Sequence, residues 1–142
     1  MRFVICFIVL CHQLHLLSSE WLNCCPHEDL LGIETVDFTP SRLKMGATAK
    51  LHVTGTPVVD IHHAVVSVTV RGPRMFRTRF YESNLCDYVK CPLFSGVRVS
   101  KTVPLRIPKR IPAGNYTLRV EIDDTDRIVL ASCFEVSSYI FY

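Results

Sequence analysis

The chain has no strong excess of either charge: 16 Lys and Arg face 13 Asp and Glu, a net of +3 at pH 7. That balance is too small to imply nucleic-acid binding from net charge and leaves only a local basic patch open. Heptads, solenoid repeats and a long amphipathic helix are missing, which excludes coiled-coil and repeat architectures. Beyond the N-terminus no apolar run approaches the length of a membrane span. Signatures of catalysis are absent as well: there is no Gly-x-Ser-x-Gly elbow, no phosphate-binding glycine loop and no His-Glu-x-x-His. Without a nucleophile, a base and a stabiliser of developing charge in a recognisable pattern, the sequence reads as a non-enzymatic binding protein that needs no cofactor.

What is present is a 142-residue chain, 49% hydrophobic, enough for one domain with one good core. Residues 1–19 read as a secretory signal peptide: Arg2 supplies the positive start, Phe3 to Leu17 are mostly apolar, and Ser18 and Ser19 are small residues for cleavage. His12, Gln13 and His15 interrupt the apolar run and argue against a spanning helix. The predicted mature domain, residues 20–142, is soluble. Five of the seven cysteines (Cys24, Cys25, Cys86, Cys91, Cys133) lie in it, which points to an oxidising compartment, two bridges and one leftover thiol.

Runs rich in Val, Ile, Thr, Tyr and Phe recur between Gly, Pro and Asp signals. The pattern predicts strands at Leu31–Thr39, Thr48–Thr56, His63–Arg71, Met75–Glu82, Val97–Leu105, Asn115–Asp123 and Ile128–Val136. Short strands of this kind fit an all-β sandwich of two antiparallel sheets. Alternation is cleanest where Tyr116, Leu118, Val120 and Ile122 share one face against Thr117, Arg119 and Glu121. Ile128, Leu130, Phe134 and Val136 repeat it, as do Val66, Val68 and Val70. Cys133 falls on the opposite parity from its strand's apolar set. Lys101 breaks the rule by sharing parity with Val97, Val99, Val103 and Leu105, which predicts either a β-bulge, the favoured reading, or a cation at a cavity edge.

Other candidate sites have bland readings beside them. Cys86 and Cys91 enclose four residues, the spacing of a small disulfide loop or half a zinc site; no second Cys/His pair is placed to complete the metal site, so a disulfide is expected. Cys133 bridges to Cys25 or Cys24. His62 and His63 are adjacent and would point to opposite faces of a strand, which suits solvated residues better than shared ligands. Glu121, Asp123, Asp124 and Asp126 lack the glycine and terminal glutamate of a calcium loop and read as a polar hairpin turn. Asn115-Tyr116-Thr117 is a glycosylation sequon. Arg71, Arg74, Arg77 and Arg79, with Arg106, Lys109 and Arg110, form either a solvated face or a surface attracted to anionic membranes.

Several local patterns taken in order resemble the ML lipid-recognition domain, above all its phosphatidylglycerol/phosphatidylinositol transfer branch, with the Niemann-Pick type C cholesterol carrier as a relative. They are Cys25 to Asp37, Pro40 before Lys44 and Gly46, and Thr54-Gly55-Thr56-Pro57. Leu85-Cys86-Asp87 with Cys91-Pro92-Leu93 and Gly96, Lys101 to Leu105, Ile111 to Thr117 and a last strand carrying Cys133 complete the match. Thr39 to Ala47 contains no Cys, unlike members similar to the cholesterol carrier, and His62-His63-Ala64 stands where transfer members have a Gly and an aromatic.

The resemblance implies an immunoglobulin-like β-sandwich splayed at one end, with lipid tails held between the sheets. It also favours Cys25 as the partner of Cys133. The implied cavity residues are Val66, Val68, Phe76, Phe80, Val99, Val103, Tyr116, Leu118, Val120, Ile122, Leu130 and Phe134. Ile107, Lys109, Arg110 and Ile111 form the expected mouth, where two isoleucines offer apolar contact and the basic pair meets a headgroup. The expected partners are a phospholipid or sterol and, transiently, a membrane surface; nucleic acid is not expected. The expected protein is a monomer, secreted or in the lumen of the endolysosomal or vacuolar system. The alternative reading is a secreted immunoglobulin-like recognition module, of lipid-sensing co-receptor or allergen type, that does not transfer lipid.

Overall fold

The computed structural model describes residues 20–142 without the side chains of residues 79–81. The expected leader over residues 1–19 and the side chain of Phe80 therefore lie outside the described residues. The strands are β1 (Trp21–Asn23), β2 (Ile33–Thr39), β3 (Leu43–Lys44), β4 (Thr48–Gly55), β5 (Ala64–Arg71), β6 (Arg77–Asn84), β7 (Val99–Arg106), β8 (Gly114–Asp124) and β9 (Val129–Phe141). Apart from the short parallel β3, they form two antiparallel sheets: β1-β9-β8-β5-β6, with β3 added on β9, and β2-β4-β7. The sheets close on each other where β2 packs against β1 and β9. This is the expected all-β, immunoglobulin-like sandwich.

Each expected strand has a counterpart, and two short strands are added. β1 pairs with Phe134 to Val136 and β3 with Ile140 and Phe141, both on the free edge of β9. β9 runs on to Phe141, past the expected end at Val136, and its unpaired edge groups are satisfied by these two fragments. Neither fragment is long enough to show a period of its own.

On the outer face of the larger sheet, Arg119 reaches Glu121 at 2.8 Å and Glu135 at 3.1 Å, and Arg71 reaches the same Glu135 at 3.1 Å. This network ties β5, β8 and β9 across their solvent side. At the far end of β8 the buried Asp124 carboxylate accepts from the Asp126 and Arg127 N–H groups and from the Arg127 guanidinium, 2.6 Å away. Burial alone would push its pKa up, but these donors and the Arg127 charge outweigh it and hold the carboxyl below the usual range. The acidic run thus builds a hairpin turn.

Four expectations are corrected. Leu130 is not on the inner face: the ladder steps from Ile122↔Ser132 to Asp123↔Leu130, so Ala131 is an extra, bulged residue and Leu130 is carried to the outer face. Ile128, expected to share that inner set, stands exposed in the turn with φ of 56°. The bulge expected at Lys101 is absent, because β4 and β7 pair without interruption from Thr48↔Arg106 to Gly55↔Val99.

The last correction is the long disulfide, which joins Cys24, not Cys25, to Cys133, with Cα atoms 5.0 Å apart. The β1–β9 register explains the choice. Asn23 lies opposite Phe134, and the Cys24 N–H donates to the Cys133 carbonyl at 3.0 Å, so Cys24 stands beside Cys133 on the outer face. One residue later the Cys25 N–H is taken by the Asn23 side chain at 2.9 Å and the chain has left the strand. Cys25 is the free, half-buried thiol; burial first and then the Asp29 charge push its pKa up. The second bridge, Cys86–Cys91, is the one expected from the spacing.

Candidate functional site

Between the sheets lies an apolar cavity in two lobes, about 150 and about 290 Å³. Leu51 on β4, Val103 on β7, Val68 on β5 and Val120 on β8 border both, so the lobes meet at a waist made of four aliphatic side chains. An engineered cavity of about 150 Å³ lined by aliphatic and aromatic groups stays dry and accepts benzene, so each lobe is large enough to hold hydrocarbon.

The smaller lobe is walled by Val66, Ile122 and Phe134 on one side and by Ile33, Val53, Val99 and Lys101 on the other. Its end is shut by Leu85, Tyr88, Val89 and Leu93 from the segment that carries the Cys86–Cys91 bridge. That segment starts with a 3₁₀ turn, Leu85–Asp87, capped by Asn84, whose side chain accepts from the Cys86 N–H at 2.9 Å. It is fastened to the body by reciprocal N–H···O bonds of 2.9 Å between Leu93 and the buried Ile61.

The larger lobe contains Leu43, Val70, Phe76, Tyr116, Leu118 and Ile140 on one side and Phe38, Leu105, Ile107 and Ile111 on the other. Phe76 packs edge-on against Tyr116, ring centroids 5.9 Å apart. Gly72 makes room for that ring: a Cβ there would lie 2.2 Å from it. The Tyr116 hydroxyl donates to the Pro112 carbonyl at 2.5 Å and so holds the segment carrying Ile111 over the lobe. Burial, with the Tyr142 charge second, pushes the phenol's pKa up. Ile107 is anchored through its N–H to the Ala47 carbonyl at 2.9 Å.

Val66, Val68, Phe76, Val99, Val103, Tyr116, Leu118, Val120, Ile122 and Phe134 thus all line one or both lobes, and Leu130 lines neither. Phe80 falls at the register shift between the Val68↔Tyr81 and Thr69↔Arg79 pairs. The four expected mouth residues separate into two pairs. Ile107 and Ile111 face the larger lobe, whereas Lys109 and Arg110 lie outside it in a shallow polar hollow with Met45, Arg74 and Tyr142, which Ile111 also borders. Next to Arg74, Met75 is 97% exposed at the β5–β6 turn.

Sequence reasoning missed the β4 contribution, Leu51 and Val53, although their alternation with Lys50 and His52 carried the signal. It also missed the apolar residues of the Cys86–Cys91 segment, which have no periodicity to read. Among the described residues neither lobe is lined by an acidic side chain, and the charged lining residues are Lys101 and Arg106. Asn115 is exposed at the start of β8. His63 pairs with Asp126 at 3.0 Å on the surface, and among the described residues no three His, Cys, Asp or Glu are gathered to hold a metal.

The model of the ML domain family matches residues 18–140. The chain belongs to the ML domain family. A Dictyostelium discoideum protein provisionally named phosphatidylglycerol/phosphatidylinositol transfer protein 3 is 26% identical to this ML domain over 132 residues, 92% of this chain and 86% of that one. The phosphatidylglycerol/phosphatidylinositol transfer protein of Aspergillus oryzae is 30% identical over 107 residues, covering 71% of this chain and 60% of that one. Among solved structures, the Niemann-Pick type C2 protein of the Japanese carpenter ant superposes with a TM-score of 0.65 at 17% identity, over 86% of this ML domain and 99% of the ant protein. Chicken MD-1, solved with lipid IVa, superposes with a TM-score of 0.52 at 13% identity over 86% and 99% of the two chains. These two show a shared fold.

Proposed function

We propose that this ML domain is a secreted lipid-binding and transfer protein that carries a phospholipid or sterol between its sheets and performs no catalysis. The observation that carries the reading is the two-lobed cavity with apolar walls and no acidic lining residue among the described residues. Burying hydrocarbon is worth about 0.8 kcal/mol per methylene, so a dozen methylenes supply roughly 10 kcal/mol before the costs of association. Few polar contacts are then needed, and the cavity has few. The phospholipid-transfer names of the Dictyostelium and Aspergillus relatives support the same class of ligand. Two disulfides suit secretion or an endolysosomal or vacuolar lumen. The carrier acts as a monomer and uses no cofactor.

Lipid passes at the Ile107/Ile111 end. Arg74, Lys109 and Arg110 beside it draw that end to an anionic bilayer, where each basic residue close to the surface contributes about 1 kcal/mol. Exposed Met75 provides apolar contact with the bilayer there.

The test is mass spectrometry of lipid released from the purified protein, together with transfer of a fluorescent phospholipid between vesicles. Bound phospholipid or sterol with accelerated transfer supports the carrier. Bound lipid without transfer favours the recognition module, and an empty protein that binds no added lipid overturns both. Lys109→Glu with Arg110→Glu should slow uptake from anionic vesicles at low salt and leave thermal stability unchanged.

A further inference from the structure

Lys101 is out of place by every rule that governs the rest of its strand. It occupies an inner-face position between Val99 and Val103, opposite Val53 on β4, in a ladder with no irregularity to turn it away. The corresponding inner positions on β8 are Tyr116, Leu118, Val120 and Ile122. Lys101 borders the smaller lobe, none of whose described lining residues is acidic. The described ion pairs use Arg71, Arg98, Arg119, Arg127 and His63, and among the described residues the Lys101 side chain has neither a hydrogen-bond nor an ion-pair partner. A valine here would continue the apolar wall, so packing between the sheets supplies no reason for an ammonium group.

Its position supplies one. Val103, the next inner residue of β7, is part of the waist, so Lys101 stands one step from the point where the lobes join. β7 is an edge strand and Lys101 is exposed. Its methylene stem can lie along the cavity wall while its charge remains at the solvent boundary.

We propose that Lys101 is the headgroup-recognising residue of the cavity, binding the anionic group, phosphate or carboxylate, of an amphiphile whose hydrocarbon occupies the lobes. The inference rests on the reading of the cavity as a lipid site and deepens it: the ligand is an anionic lipid. An ammonium is a point charge without the planar fork that matches one oxyanion geometry, so a phospholipid and a free fatty acid are both within its chemistry. Covering the pair with hydrocarbon lowers the local dielectric and strengthens it. Lys101 is distinct in role from Lys109 and Arg110, which lie outside the apolar lobes and act on the approach to a surface.

The experiment compares delipidated wild type, Lys101→Met and Lys101→Arg in equilibrium binding of phosphatidylglycerol, oleate and uncharged diacylglycerol, with thermal unfolding of each protein. Wild type is expected to favour the anionic lipids, and Lys101→Met to lose about tenfold in affinity for them. Diacylglycerol binding and thermal stability should be unchanged, and Lys101→Arg should retain the preference. Loss confined to phosphatidylglycerol identifies a phospholipid headgroup, and loss confined to oleate a fatty-acid carboxylate; either supports the proposal. Equal binding of all three lipids by wild type and Lys101→Met overturns it while leaving the lipid carrier intact. Binding of none by either protein overturns the carrier reading and the proposal together.

Discussion

Strands β7 and β8 face each other across the cavity with the same alternation, yet one is a closed wall and the other an open one. On β8 the inward Tyr116, Leu118, Val120 and Ile122 are between 4 and 7% exposed. On β7 the inward Val99, Val103 and Leu105 are half-buried and Lys101 is exposed. Position in the sheet makes the difference. Among the described residues, β8 is flanked by β5 and β9, whereas β7 pairs only with β4. β8 also ends in a locked turn at buried Asp124 and neighbours a strand stapled by Cys24–Cys133, while β7 has neither support. On the carrier reading, the closed wall holds the fold and the open wall leaves room for a ligand.

The largest effect should come from unstapling the closed wall. The Cys24–Cys133 bridge spans 109 residues. Its removal in Cys24→Ser/Cys25→Ser is expected to cost about 4 to 5 kcal/mol in the chain-entropy account, against less than about 0.5 kcal/mol for Cys25→Ser alone. Urea unfolding measures both, and a Cys25–Cys133 peptide in a non-reducing digest of wild type would refute the assignment.

Next in size is the turn that locks β8. Asp124→Asn leaves the Arg127 guanidinium without its carboxylate and should cost about 2 to 3 kcal/mol at neutral pH. Because the folded-state pKa of Asp124 lies below its unfolded value, its contribution is complete above the ordinary carboxylate range and is lost as pH falls through the depressed folded value. Wild type should therefore show an acid loss of stability that is smaller in the variant, measured by urea midpoints from pH 7 down to about 2.

A matched pair of substitutions tests the two walls directly. Val120→Ala on the closed wall should cost about 2 kcal/mol, and Val103→Ala on the open wall about 0.5 to 1 kcal/mol, although both border the waist. Equal costs in urea unfolding would show that β7 is as tightly packed as β8. Val120→Phe, whose ring has the waist to enter, should stay within about 1 kcal/mol of wild type, with phospholipid affinity down about tenfold or more. A loss of about 1 to 3 kcal/mol without any lipid binding by wild type would indicate an overpacked, closed core.

Much of this arrangement was legible residue by residue. Side-chain direction along a strand is a local property with period two, so the inward sets Val66/Val68 and Tyr116 to Ile122 could be read before any pairing was known. The same rule misplaced Leu130, because a single extra residue, Ala131, reverses parity and bulges arise from how two strands meet. It flagged Lys101 as an anomaly but favoured the wrong remedy, since only the unbroken β4–β7 ladder shows that the lysine stays on the inner face. The pairing of Cys24 was likewise beyond sequence: two adjacent cysteines differ only in where β1 stops and the chain turns away.

The sequence by itself determined the all-β class, the two-sided strands and the small Cys86–Cys91 loop, because each depends on neighbours a few residues apart. The tertiary structure alone decided which strand forms the edge, that four distant residues, Leu51, Val68, Val103 and Val120, meet at one waist, and that Ile107 and Ile111 part from Lys109 and Arg110. These depend on contacts between segments tens of residues apart, whose register is set by cooperative pairing and packing of the whole chain.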